Sequence, residues 1–166
     1  SIPGVRPTQP ATGMPRILAA LHDIAIALWA GGLWVSGYLV APLLFRNAPD
    51  RVVAGHLAGS IFTGMAFVGI GCAVYILAYR VGRSGLVAIK QGVFWIAVAM
   101  AVLVVAGQFG VQPILAGLKE QALPREVMES VFRDRFATWH GVASILYVIE
   151  SLLAIGLVIM GGRSAR

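Results

Sequence analysis

The sequence predicts an all-α polytopic membrane protein: a bundle of four transmembrane helices with a short amphipathic helix before the last span. Three observations predict it. Hydrophobic residues make up 58% of the 166-residue chain and charged residues only 12%, against roughly 25% charged in soluble domains. The mean hydropathy is +0.84. Apolar runs long enough to cross a bilayer, about 20 residues at 1.5 Å rise each, recur along the chain with the charge clustered between them.

The opening SIPGVRPTQPATG is rich in Pro, Gly and Thr and has no apolar period, so residues 1–14 read as a flexible lead. Met14 then stands as a natural start, with the residues before it an upstream extension or a remnant of expression. Pro15 suits the first turn of a helix, where a missing N–H is not needed. Span one is expected over 15–44, broken near its end by Pro42; span two over 53–79; span three over 86–115; span four over 137–160. Each is long enough to cross with some tilt. Residues 15–162 form a single transmembrane domain and 163–166 a basic tail. Between spans three and four, Val127 or Met128, Val131, Phe132 and Phe136 recur at helical spacing after Pro124. That pattern predicts an amphipathic helix over 125–136 lying on the membrane surface.

The charge pattern excludes some partners and suggests an orientation. The net charge of +6 is spread in twos and threes beside apolar runs. No basic helix face is interleaved with aromatics, so nucleic acid is not the expected partner and the basic residues read as topology signals. One side carries Arg6, Arg16, Arg80, Arg83, Arg163 and Arg166, with Lys90 close by and no acidic residue outside a span. The other carries Arg46, Arg51, Lys119, Arg125, Arg133 and Arg135 together with Asp50, Glu120, Glu126, Glu129 and Asp134. Both termini are therefore expected in the cytoplasm, in a bacterial inner membrane. The single cysteine, Cys72, forms neither an internal disulfide nor a metal pair. No cleavable signal peptide is expected, because the first apolar run is too long and lacks a small-residue cleavage site.

Small residues four apart let helices approach: Gly32 with Ser36, Gly55 with Gly59, Ala54 with Ala58. Packing inside the bundle is the plain reading, and a homodimer contact the alternative.

Chemistry is expected where ionisable side chains enter apolar spans. An intramembrane charge costs at least about 2.5 kcal/mol on insertion scales, so such residues face the bundle interior, find a partner and mark ligand or ion paths. His22 and Asp23 lie roughly 10 Å along span one from Arg16, and Lys90 lies at a similar height after Arg83. Contacts of Lys90 with Asp23 or His22 are open, as is snorkelling of the Lys90 ammonium to the headgroups. His22 shares a helical face with Trp29 and Ser36, with Gly32 close by, a polar and aromatic stripe suited to a pocket. In span four His140, Ser144, Tyr147 and Ser151 fall within about 40° of one line, and Glu150 sits beside Tyr147 near the midplane. There a lone carboxyl must be neutral or paired.

His56 and His140, each just inside the loop edge of its span, would hold haem iron if their helices faced one another. Met65, Met100 and Met128 read as ordinary packing. A phosphate-binding glycine loop, a nucleophile elbow and an HExxH motif are all missing from the sequence. Enzymatic chemistry, if present, would come from a cofactor.

The segments LHDIAIALWAGGLWVSGYLVAPLLF, DRVVAGHLAGSIF and FATWHGVASILYVIE resemble the bacterial members of the transmembrane-protein-205-like family, a four-span membrane domain. The resemblance runs from Leu18 to the end of span four. His22, Trp29, Gly31, Gly32, Pro42, Phe45, Gly55, Phe62, Phe136 and His140 hold the corresponding positions. A looser likeness reaches the CopD-type copper-resistance membrane domain and the HemJ-type protoporphyrinogen oxidase, where a first-span His and a third-span Lys accompany haem. His22 and Lys90 occupy a similar arrangement, which implies haem b or a metal ion near His22.

The leading expectation is an integral membrane protein with a polar intramembrane site that binds or conducts a small ligand: haem, a metal ion or another solute. His22 would be ligand or proton acceptor, Asp23 its orienting partner, Trp29 and Tyr147 pocket walls, Glu150 a midplane proton or cation site, and His140 and His56 further ligands. The alternatives are a haem-linked redox or haem-handling protein, and an accessory subunit of a larger membrane complex.

Overall fold

The computed structural model describes residues 13–163. Residues 1–12 of the expected lead and 164–166 of the expected tail, with the topology charges Arg6 and Arg166, and the Arg163 side chain lie outside the described residues, while Gly13 and Met14, expected in the flexible lead, open the first helix. Those residues form helices and short connections with no strand: α1 (Gly13–Val35), α2 (Ala41–Asn47), α3 (Arg51–Ser84), α4 (Gly92–Val105), α5 (Gln112–Ala122) and α6 (Arg133–Arg163). A π-helical turn, Ser36–Val40, joins α1 to α2, and a second, Ala106–Val111, joins α4 to α5. The result is four long apolar elements, Arg16–Asn47, Arg51–Lys90, Gly92–Ala122 and Arg133–Gly162. Each is long enough to cross a bilayer.

The spans form a ring in which α1 packs on α3, α3 on α4, α4 on α6 and α6 back on α1. Spans one and three run one way and spans two and four the other. Leu, Ile, Val and Phe cover the outside, including Ile24, Leu28, Phe67, Val102, Ile145 and Leu152. Such a surface suits lipid, so helix contacts must come from packing and polar bonds. Small residues provide the close approach within the chain. Ala54 and Ala58 are buried, and a Cβ on Gly32 would collide with Met65. The half of the bundle that holds the termini is densely filled, with Ile76, Ala97, Met100, Ala154 and Leu157 fully buried.

Both π turns stand just before a proline, Pro42 and Pro113. Proline lacks an N–H and its ring crowds the carbonyl four residues earlier, and a π turn is one way to relieve that crowding. In span one a side chain also enters the ladder. The Tyr147 hydroxyl donates to the Leu33 carbonyl, and the Gly37 N–H bonds the same phenol oxygen. Tyr147 thus stands between two backbone groups that an α-helix would join directly. Gly37 permits this, because a Cβ there would overlap the Tyr147 ring.

The expected surface helix before span four is instead a 3-10 turn, Val127–Glu129, followed by the first turns of α6. Ser130 is the local reason. Its hydroxyl donates to the Val127 carbonyl at 2.7 Å and accepts from the Phe132 N–H at 3.2 Å, bonds that compete with helix continuation. Val127 packs inward with Leu118 and Ala122, against Phe132 and Phe136, while Val131 is 93% exposed. The segment caps spans three and four.

Candidate functional site

In the loop half of the bundle the spans part around a cavity of about 500 Å³. Its floor, near the middle of the bundle, holds Trp29, Gln108 and Glu150; its mouth holds Phe45, Gly55, Lys119 and His140. Glu150 lies roughly 25 Å along α6 from its start and roughly 20 Å from its end. Its carboxyl is 5% exposed, with the Trp29 indole as hydrogen-bonding neighbour on one side and no partner for Oε1. Gln108 Oε1 is likewise buried without a partner. A buried acceptor left unpaired costs about 1–3 kcal/mol, so two on one cavity wall amount to an unfilled demand for donors.

The walls are aromatic and held in place. Tyr147 meets Phe62 edge-to-face at 5.4 Å and Tyr38 at 6.2 Å. Tyr38 donates to Ser151 Oγ at 3.0 Å, Ser151 Oγ to the Tyr147 carbonyl at 2.8 Å, and the Trp34 indole to the Ser151 carbonyl at 3.2 Å. These bonds seam span one to span four at the level of the floor. At the mouth, Lys119 Nζ reaches across to the Gly55 carbonyl at 3.1 Å, over the gap left by Gly59.

Of the residues singled out from the sequence, the cavity gathers Trp29, Tyr147, Glu150 and, at its rim, His140, whose ring stacks on Phe136. The others stand apart. His22 is 4% exposed in the terminal half, its ring 4.8 Å from Tyr79 and its Nδ1 3.2 Å from the Asp23 carboxylate, with Nε2 enclosed and unpartnered. Lys90 is exposed and pairs with neither Asp23 nor His22 among the described residues. The neighbouring cation inside the protein is Arg80, 6% exposed, donating to Gln91 Oε1 at 2.8 Å. His56 is exposed, and its span lies diagonally across the ring from that of His140, so the facing-helix condition for a shared iron is not met.

Haem and metal ions fit the cavity residues poorly. Among the described residues no group of three His, Cys, Asp or Glu side chains could hold a metal ion. The cavity rim offers a single imidazole, and the free nitrogen of His22 is enclosed by protein.

Gln108, Lys119 and Tyr38 were not singled out as site residues, and Phe62 entered only through the family resemblance, yet a signal for the polar positions exists. The two helical hairpins share a pattern: Asp50, Arg51, His56, Ser60 and Ile61 open span two as Asp134, Arg135, His140, Ser144 and Ile145 open span four. The structure repeats it, with Ser60 donating to the His56 carbonyl and Ser144 to the His140 carbonyl. In spans one and three, Tyr38, Val40, Pro42 and Leu44 match Phe109, Val111, Pro113 and Leu115. Equivalent positions line opposite cavity walls: Gly37 with Gln108, Ala41 with Gln112, and Ala66 with Glu150. The polar members of these pairs, Gln108, Gln112 and Glu150, come from the second hairpin.

No curated protein and no solved structure matches the chain. Residues 24–124 match DUF4149, a domain of unknown function, over a stretch that includes Trp29, Gln108 and Lys119 and stops before span four. With well over half of its length matched, the chain belongs to the DUF4149 family.

Proposed function

We propose that the protein binds a small ligand inside the membrane, in the cavity between its two hairpins, and presents or passes it across the bilayer. One observation carries this reading: Glu150 and Gln108, each with a buried and unpartnered Oε1, line one cavity of about 500 Å³ whose other walls are largely apolar and aromatic. Ligand sites have this composition, a mainly apolar concavity with a few placed polar groups. Glu150 orients the ligand, Gln108 accepts a second bond, and Trp29 and Tyr147 shape the wall. We also assign both termini to the cytoplasmic side of a bacterial inner membrane and the chain to the transmembrane-protein-205-like group.

The reading is tested with dicyclohexylcarbodiimide, an apolar reagent that adds to a buried carboxylic acid to leave an N-acylurea. Purified protein in nanodiscs is expected to carry the adduct on Glu150, detected by peptide mass spectrometry. Gly55→Leu, which narrows the mouth, should slow the modification severalfold. An adduct confined to other carboxyls would sink the idea that small apolar molecules reach this site.

A haem or metal role for His22 is supported by one arrangement: a carboxylate holding Nδ1 and leaving Nε2 free is how liganding histidines are oriented. That role calls for a Soret band in the purified protein that disappears in His22→Ala. The cavity reading instead expects colourless protein after overexpression with haem supplied.

A further inference from the structure

The cavity's ligand can be narrowed by charge and by wall chemistry, and the narrowing rests on the binding role proposed above. We infer that the ligand is a lipophilic organic cation, a protonated amine or an onium ion with an aromatic or aliphatic body.

The floor presents acceptors. Glu150 is 5% exposed with Oε1 unpartnered, Gln108 adds a second unpartnered oxygen, and the Trp29 indole N–H is turned to the same carboxyl. An anion placed there meets oxygen on two sides. A purely apolar body leaves both acceptors unsatisfied. A cation supplies the missing counter-charge, which matters most in hydrocarbon, where a lone charge is costly.

The protein supplies no such counter-charge itself. Among the described residues Glu150 has no ion pair, and the cation lining the cavity is Lys119. Lys119 stands eleven residues beyond Gln108 on the same span, about 16 Å along the axis, with its Nζ bound to the Gly55 carbonyl. It guards the mouth and does not reach the floor.

The walls favour a cation with an apolar body over a hydrated ion. Trp29, Tyr38, Phe62 and Tyr147 line the cavity, with their rings tilted at 77° between Phe62 and Tyr147 and at 69° between Tyr38 and Tyr147. Aromatic rings attract cations, more strongly where water is excluded. A bare metal ion is disfavoured because no cluster of three liganding side chains occurs among the described residues.

The duplicated pattern sharpens this. At positions where the second hairpin places Gln108, Gln112 and Glu150, the first has Gly37, Ala41 and Ala66. The cavity has a polar wall and an apolar wall, and the ligand that matches both is amphipathic.

The test uses the full chain in nanodiscs and three probes of related shape: tetraphenylphosphonium, uncharged triphenylphosphine oxide and the anion tetraphenylborate. Tetraphenylphosphonium is expected to bind saturably and at least tenfold more tightly than the oxide. Glu150→Gln should abolish that preference while eluting in gel filtration like the parent. If Glu150→Gln misfolds, Glu150→Asp, which keeps the charge, should retain the preference at reduced affinity, and its loss there counts against the inference. Equal affinity for all three probes, unchanged by the substitution, overturns the cation assignment and leaves the binding role standing, as does tightest binding of tetraphenylborate. Failure of every probe while carbodiimide still modifies Glu150 also overturns only the assignment. Failure of both experiments removes the binding role as well.

Discussion

Replacing Trp29 with alanine is expected to destabilise the bundle by about 3–5 kcal/mol, the cost of removing a large buried aromatic from a packed interior. Trp29 is 1% exposed and among the largest fully buried side chains. It packs against Gly69 so closely that a Cβ on that glycine would lie 2.6 Å from the indole nitrogen. No neighbour is placed to refill the space, because the cavity already lies on its other side. Equilibrium unfolding of the reconstituted protein in increasing dodecyl sulfate measures the loss. Trp29→Phe keeps much of the ring and should lose less than half as much stability, while removing the indole N–H beside Glu150. An unchanged unfolding midpoint in Trp29→Ala would contradict the packing described for the floor.

The second large effect belongs to Gly37. Gly37→Ala is expected to cost about 1–3 kcal/mol, the usual penalty of overpacking, because its Cβ would overlap two ring carbons and the hydroxyl oxygen of Tyr147. Tyr147 cannot withdraw without giving up its bond to the Leu33 carbonyl and its edge contacts with Phe62 and Tyr38. A double-mutant cycle isolates the cause. In a Tyr147→Ala background the ring is gone, so Gly37→Ala should be nearly neutral, giving a coupling energy of roughly 1 kcal/mol or more. Additive losses would mean that Gly37 matters for a reason other than Tyr147.

Much of the architecture was legible in the chain. Apolar runs marked the spans, and the wheel positions of His22, Trp29 and Ser36 anticipated a buried face, since all three are buried. Glu150 beside Tyr147 was also legible from spacing. The segment 125–136 was misleading because its apolar period is real, while the Ser130 hydroxyl bonds that cut it short depend on local geometry. A contact of Lys90 with Asp23 or His22 was open on grounds of height alone, as was snorkelling of its ammonium to the headgroups. Lys90 instead ends a 3-10 turn, Gly85–Lys90, before span three begins at Gly92, and it stands exposed there.

The sequence by itself determined that this chain is a four-span membrane protein with polar residues at particular depths, because hydropathy and helical rise are properties of one segment at a time. Even the duplication could have been read from it, by setting Asp50–Ile61 beside Asp134–Ile145. The tertiary structure alone decided which polar residues share a space. It drew Trp29, Gln108, Tyr147 and Glu150 around one cavity and left His22 in another half of the bundle. That choice depends on the order of helices round the ring, which follows from contacts between segments far apart in the chain.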